Sequence, residues 1–136
     1  MSSSVSEKIY WLTTLLFCFL MVLDGVSALA HLPSEMIIVA HLGFPVYCLT
    51  FMGIAKLLGV CALVQTRSVI LKEWAYAGFA IIFVLASVSH WYAGDSAAVI
   101  GVPVLFLGGM FMTYFLWKDW LASQPSRQAP PKNFQK

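Results

Sequence analysis

Charged positions are sparse along the chain and divide it into long apolar runs. Residues 9–23 carry no charge, and after Asp24 the run resumes over 25–34. A second run covers 36–55, is interrupted by Lys56 and continues over 57–66; residues 74–94 and 96–117 form the third and fourth. Crossing a hydrocarbon core of about 30 Å takes a helix of about 20 apolar residues, and backbone groups in lipid must be satisfied within helices or a closed barrel. These stretches lack the apolar/polar alternation of barrel strands. The pattern therefore predicts an all-α fold, an integral membrane four-helix bundle over residues 1–123 with transmembrane helices near 9–31, 45–65, 74–93 and 97–117. The longest connection, 32–44, holds Pro33, Glu35, His41 and Gly43. Within it, Ser34 ahead of Met36-Ile37-Ile38-Val39 reads as the start of a short helix lying at the outer interface. Residues 124–136 are polar, contain three prolines and read as a disordered cytoplasmic tail.

Composition agrees with this reading. Hydrophobic residues make up 60% and charged residues 10%, where soluble domains run at roughly 45–50% and about 25%. A mean hydropathy of +0.83 excludes disorder as well. A net charge of +2 without a basic stripe leaves no footprint for nucleic acid. Lys8, Arg67, Lys72, Lys118, Arg127, Lys132 and Lys136 all fall on one side of the four spans. The positive-inside rule then places both termini in the cytoplasm of a cell with the protein in its inner (plasma) membrane. Tyr10, Trp11, Trp74, Tyr76, Tyr114, Trp117 and Trp120 mark the cytoplasmic interface, Trp91 and Tyr92 the outer one. Lys8, the apolar stretch and Ala28-Leu29-Ala30 imitate a cleavable signal, but the stretch is long for one, and cleavage would spoil the charge split.

Ionisable groups inside spans are costly and normally face the bundle interior with a partner. Lys56 lies about 15 Å and Asp24 about 22 Å from the cytoplasmic ends of their spans. That difference is within the reach of two side chains, so an Asp24–Lys56 ion pair is expected, either a clamp on helix register or a polar anchor in a ligand or proton site. Gly53 and Gly59 flank Lys56, and Gly101, Gly108 and Gly109 lie on the fourth span; such small residues let helices approach. Tyr76, Phe79, Phe83, Ser87 and His90 share one helical face. That stripe reads as core, or as one wall of a pocket for a flat apolar ligand such as a quinone. Lys72-Glu73 reads as a solvated helix start. Three histidines at undefined spacing carry no metal signature. Cys18, Cys48 and Cys61 form no C-x-x-C and read as free buried thiols. Hydrolase, metalloprotease, Walker and dinucleotide motifs are absent from the sequence.

His41-Leu42-Gly43-Phe44-Pro45-Val46-Tyr47, Gly53-Ile54-Ala55-Lys56-Leu57-Leu58-Gly59, the stretch from Leu71 to Phe79, and Ser89-His90 followed by Gly94-Asp95 together resemble the DoxX-like family of small four-helix bacterial membrane proteins. Asp24-Gly25 departs from the small polar residue expected before that glycine. The resemblance implies a four-helix membrane bundle, and the family's namesake is a membrane subunit associated with a quinone-reducing thiosulfate oxidoreductase. The paired cysteines of the related vitamin K epoxide reductase type are missing. The expected function is that of an accessory subunit or binder of a quinone or other lipophilic molecule in membrane redox metabolism. Asp24, Lys56, Tyr76, Phe79, Phe83 and His90 are its candidate ligand-binding residues. The lipid bilayer is the surrounding partner, with self-association or a redox subunit covering glycine faces. The competing readings are an enzyme doing isomerase-type acid–base chemistry on an apolar substrate with Asp24, Lys56 and His90, and a small transporter.

Overall fold

A computed structural model describes residues 3–124, with side chains from residue 5 onward; the tail expected beyond Gln124 lies outside the described residues. Five helices follow one another: α1 (Ser3–Leu29), α2 (Pro33–His41), α3 (Cys48–Val64), α4 (Val69–Tyr92) and α5 (Ala97–Ala122). Among the described residues there is no strand. α1, α4 and α5 are long and apolar enough to cross a membrane. α3 is apolar but only 17 residues long, about 26 Å at 1.5 Å per residue.

Local chemistry explains the shorter α3. Pro45 starts a turn whose carbonyl accepts from Cys48 N at 3.0 Å, so the helix begins three residues later than the span expected over 45–65. At the other end Gln65 is extended, and its side chain organises the link to α4. Nε2 donates to the carbonyls of Ala62 and Ser68 at 3.0 and 2.7 Å, while Oε1 accepts from Arg67 N and Ser68 N at 2.7 and 2.8 Å. Ser68 Oγ then caps α4, accepting from Leu71 N at 3.2 Å. α2 forms where a short interfacial helix was expected, with Pro33 rather than Ser34 opening it and Leu32 as its N-cap. Gly43 and Gly94, both at φ near +80°, close α2 and α4.

α1, α3, α4 and α5 pack in a ring in the order α1–α3–α4–α5, with α2 against α3. Contacts at the ends establish the direction of each helix. Tyr10 of α1 stacks on Trp120 of α5 at 5.3 Å and accepts a hydrogen bond from Lys72 of α4, so the start of α1, the start of α4 and the end of α5 lie together at the basic end. His41, His90 and Asp95 join the opposite ends. α3 must therefore run back from the histidine end to the basic end.

The core holds Phe17, Met21, Leu63, Phe79, Met110 and Trp117, with a smaller cluster of Ala28, Val39 and Leu49 under α2. Large apolar side chains such as Leu12, Phe19, Trp74, Ile81 and Leu105 point outward, the inverse of a soluble protein and the arrangement lipid solvates. α1 and α3 touch most closely at glycines: a Cβ on Gly53 would sit 2.7 Å from the Gly25 carbonyl oxygen. The expectation that Gly101, Gly108 and Gly109 bring another helix close is not met within the chain. A Cβ on any of them would meet nothing within 4 Å, because these positions of α5 turn away from its neighbours.

Candidate functional site

The residues singled out in the sequence fall in three separate places. The first is the α1–α3 contact, where Lys56 Nζ meets Asp24 Oδ2. Gly25 and Gly53 let the two backbones approach, and Gly25 leaves room for the Lys56 stem. The pair is asymmetric: the Lys56 side chain is 9% exposed and that of Asp24 38%. The ammonium is the deeply placed partner, and the carboxylate lies toward the histidine end.

The second place is the aromatic stripe of α4. Tyr76, Phe79 and Phe83 are buried and packed on rings from other helices. Phe83 stacks on Phe79 at 6.2 Å and on Phe106 at 5.8 Å, Phe17 stands edge-on to Phe79 at 5.3 Å, and Tyr76 stacks on Trp117 at 5.6 Å. These ring contacts make the stripe part of the packed core, although Phe79 also borders a cleft between α3 and α4 and Tyr76 one between α4 and α5.

His90 belongs to the third place, a belt of polar contacts at the histidine end. Asp95, in the α4–α5 turn, takes His90 Nδ1 on one oxygen at 2.7 Å and His41 Nε2 on the other at 2.8 Å. Those side-chain hydrogen bonds, from His90 and then His41, hold the Asp95 carboxyl below its ordinary value of 3.8. The one hydroxyl proton of Ser27 of α1 is shared between two acceptors, Glu35 Oε1 of α2 at 2.7 Å and the Asp24 carbonyl at 2.9 Å. His31, the one non-glycine residue at positive φ among those described (48°), is held by its ring contact with Thr50 at 3.0 Å. His41 and His90 thus meet on Asp95, whereas His31 serves a separate link to Thr50.

Two expectations are corrected at the opposite end and on α3. Lys72 is not a solvated helix start: it is 3% exposed. Its ammonium donates to Tyr10 OH at 2.6 Å and lies 5.3–5.7 Å from the rings of Tyr10, Trp11 and Trp117, a cation held by aromatic faces. Glu73 beside it pairs with Lys118 and accepts from Tyr114 OH at 3.3 Å. Of the three free thiols only Cys18 is buried; Cys48 is half-buried and Cys61 exposed, because α3 turns Cys61 away from the ring.

α2 folds back over α3 and α4 and roofs a cavity of about 270 Å³. Val39, Phe44, Leu49, Met52 and Ala86 form its apolar wall, and Phe51, Leu85 and Ile38, all exposed, stand at its mouth toward lipid. Glu35 and Ser89 are its polar lining residues, and Cys48 lies on its wall. None of the six residues picked from the sequence lines it. Glu35 stood out in the sequence only as a charge in a connection and Ser89 only as a neighbour of His90; that α2 turns back onto the bundle had no signature in its apolar pattern.

Three long apolar helices, outward-facing hydrophobic side chains and charges confined to the ends or paired inside define an all-helical membrane protein. The DoxX-like family matches residues 12–113, from the third turn of α1 through most of α5, and the chain belongs to that family. No curated protein and no solved structure matches it.

Proposed function

We propose that this DoxX-like protein binds a lipophilic small molecule, of which a quinone is one candidate, in the cavity beneath α2, and serves as an accessory subunit of membrane redox metabolism. On this reading α3 is the fourth span, both termini are cytoplasmic and α2 lies at the outer face of the inner membrane. The basic end, with Lys8, Arg67, Lys72 and Lys118, supports that orientation through the positive-inside rule. The observation that carries the reading is the cavity: apolar, open toward lipid between α3 and α4, and of a size for one ring with part of its tail. The pairing of Lys56 with Asp24 and of His90 with Asp95 away from the cavity supports a binder over an acid–base enzyme.

Cys48 on the cavity wall supplies the test. In Cys18→Ala/Cys61→Ala protein reconstituted in nanodiscs, a decyl-trimethylbenzoquinone, with no ring C–H left for thiol addition, slows alkylation of Cys48 by a membrane-permeant maleimide whether oxidised or reduced. Labelling that neither form slows at saturation refutes binding of this class.

A further inference from the structure

Among the residues lining the cavity beneath α2, two have oxygen-bearing side chains, Glu35 of α2 and Ser89 of α4; the rest are apolar apart from Cys48. Ser27 Oγ donates to Glu35 Oε1 at 2.7 Å, which holds one oxygen of the side chain, so Oε2 is the oxygen a ligand would use. An ionised carboxylate accepts hydrogen bonds and donates none, so the head group placed against it must donate. A charged donor is disfavoured, because an ammonium would give up its hydration for a space walled by Val39, Phe44, Leu49 and Met52, at far greater cost than a hydroxyl. An anionic head is disfavoured too: among the described lining residues none is basic, and two carboxylates would face each other.

Resting on the lipophile-binding reading above, we propose that the ligand carries a neutral hydroxyl head, its O–H donating to Glu35 and its oxygen accepting from Ser89. The hydrocarbon tail leaves past Phe51 and Leu85 between α3 and α4. Within a quinone couple the hydroquinone has such hydroxyls. The oxidised form offers acceptors alone and sets a carbonyl against the carboxylate.

The test compares 4-octylphenol with its methyl ether, 4-octylanisole, as protectants of Cys48 in the full-length Cys18→Ala/Cys61→Ala protein in nanodiscs. A hydrogen bond to a charged acceptor distinguishes the two, so the phenol protects at a concentration about tenfold or more below that of the ether. Glu35→Gln still accepts from Ser27 but can also donate through its amide, and it brings the ratio to within about twofold. Equal protection by both compounds in the parent protein overturns the hydroxyl assignment while leaving the cavity a lipophile site. Protection by neither overturns the underlying reading instead. An undiminished preference in Glu35→Gln protein with unchanged helical circular dichroism overturns Glu35 as the partner. If that variant does not fold, the ratio in the parent protein decides the head-group assignment by itself.

Discussion

The close backbone approach of α1 and α3 makes Gly53→Ala an informative single substitution. The added methyl would lie 2.7 Å from the Gly25 carbonyl oxygen and 2.7 Å from Leu29 Cγ. A carbon ordinarily approaches a carbonyl oxygen no closer than about 3.3–3.6 Å, so α1 and α3 must part by roughly 0.6 Å or more. Leu29 can change rotamer, but a helical carbonyl cannot step aside. Overpacking of this kind costs about 1–3 kcal/mol. Alanine also gains roughly 0.5–1 kcal/mol over glycine in a helix interior, which a single variant would confound with the clash. Gly78→Ala removes the ambiguity, because a Cβ there meets nothing within 4 Å and reports the propensity gain alone. Unfolding each variant in mixed micelles of increasing SDS fraction, followed by circular dichroism, gives the comparison. Gly53→Ala is expected to be less stable than Gly78→Ala by about 1–3 kcal/mol. Equal stability would refute the claim that the Gly25–Gly53 contact holds α1 on α3.

The same assay tests the ion pair. Asp24→Ala should cost more than Lys56→Met, because it leaves a buried ammonium without its carboxylate, whereas Asp24 is partly exposed. The double replacement should cost less than the sum, by a coupling of about 0.5–3 kcal/mol; strict additivity would show that the two do not interact. The histidine end should respond to acid. Asp95 titrates below its ordinary 3.8 in the folded protein, so its contribution is complete above 3.8 and is lost as pH falls further, through the depressed folded value. Protection factors of α2 amides, corrected for the intrinsic pH dependence of exchange, should accordingly stay high at pH 5 and fall below 3.8, whereas Asp95→Asn protein shows low protection at both; acid-insensitive protection would be evidence against the role of the His41–Asp95–His90 contacts in holding α2.

Much of this architecture is legible in the sequence because lipid imposes coarse, long-range rules. Runs of apolar residues without charge correspond to α1, α4 and α5, and depth counted along two spans was enough to bring Lys56 to Asp24. What was not legible depends on contacts that no period encodes. Lys72 looked solvated because it precedes an apolar run; its burial needs Tyr10, Trp11 and Trp117 from two other helices. The ends of α3 depend on a proline turn and on the amide of Gln65, a residue of no distinction in a hydropathy reading. Tyr76, Phe79 and Phe83 pack on rings of other helices while His90 turns to Asp95, a division that periodicity along α4 does not encode. The cavity itself exists only because α2 returns over α3, a placement held by Ser27, Asp95 and their partners.

The brevity of α3 also shapes the surroundings of the protein. Its 17 residues fall about 4 Å short of a 30 Å hydrocarbon slab, whereas α1, α4 and α5 exceed it. With α3 as the fourth span, as proposed above, acyl chains beside it would have to compress while those around the rest of the perimeter need not, and the bilayer would dip on that flank. The mouth between Phe51 and Leu85 opens on that flank, where a molecule partitioned near the headgroups lies closest in height to the entrance.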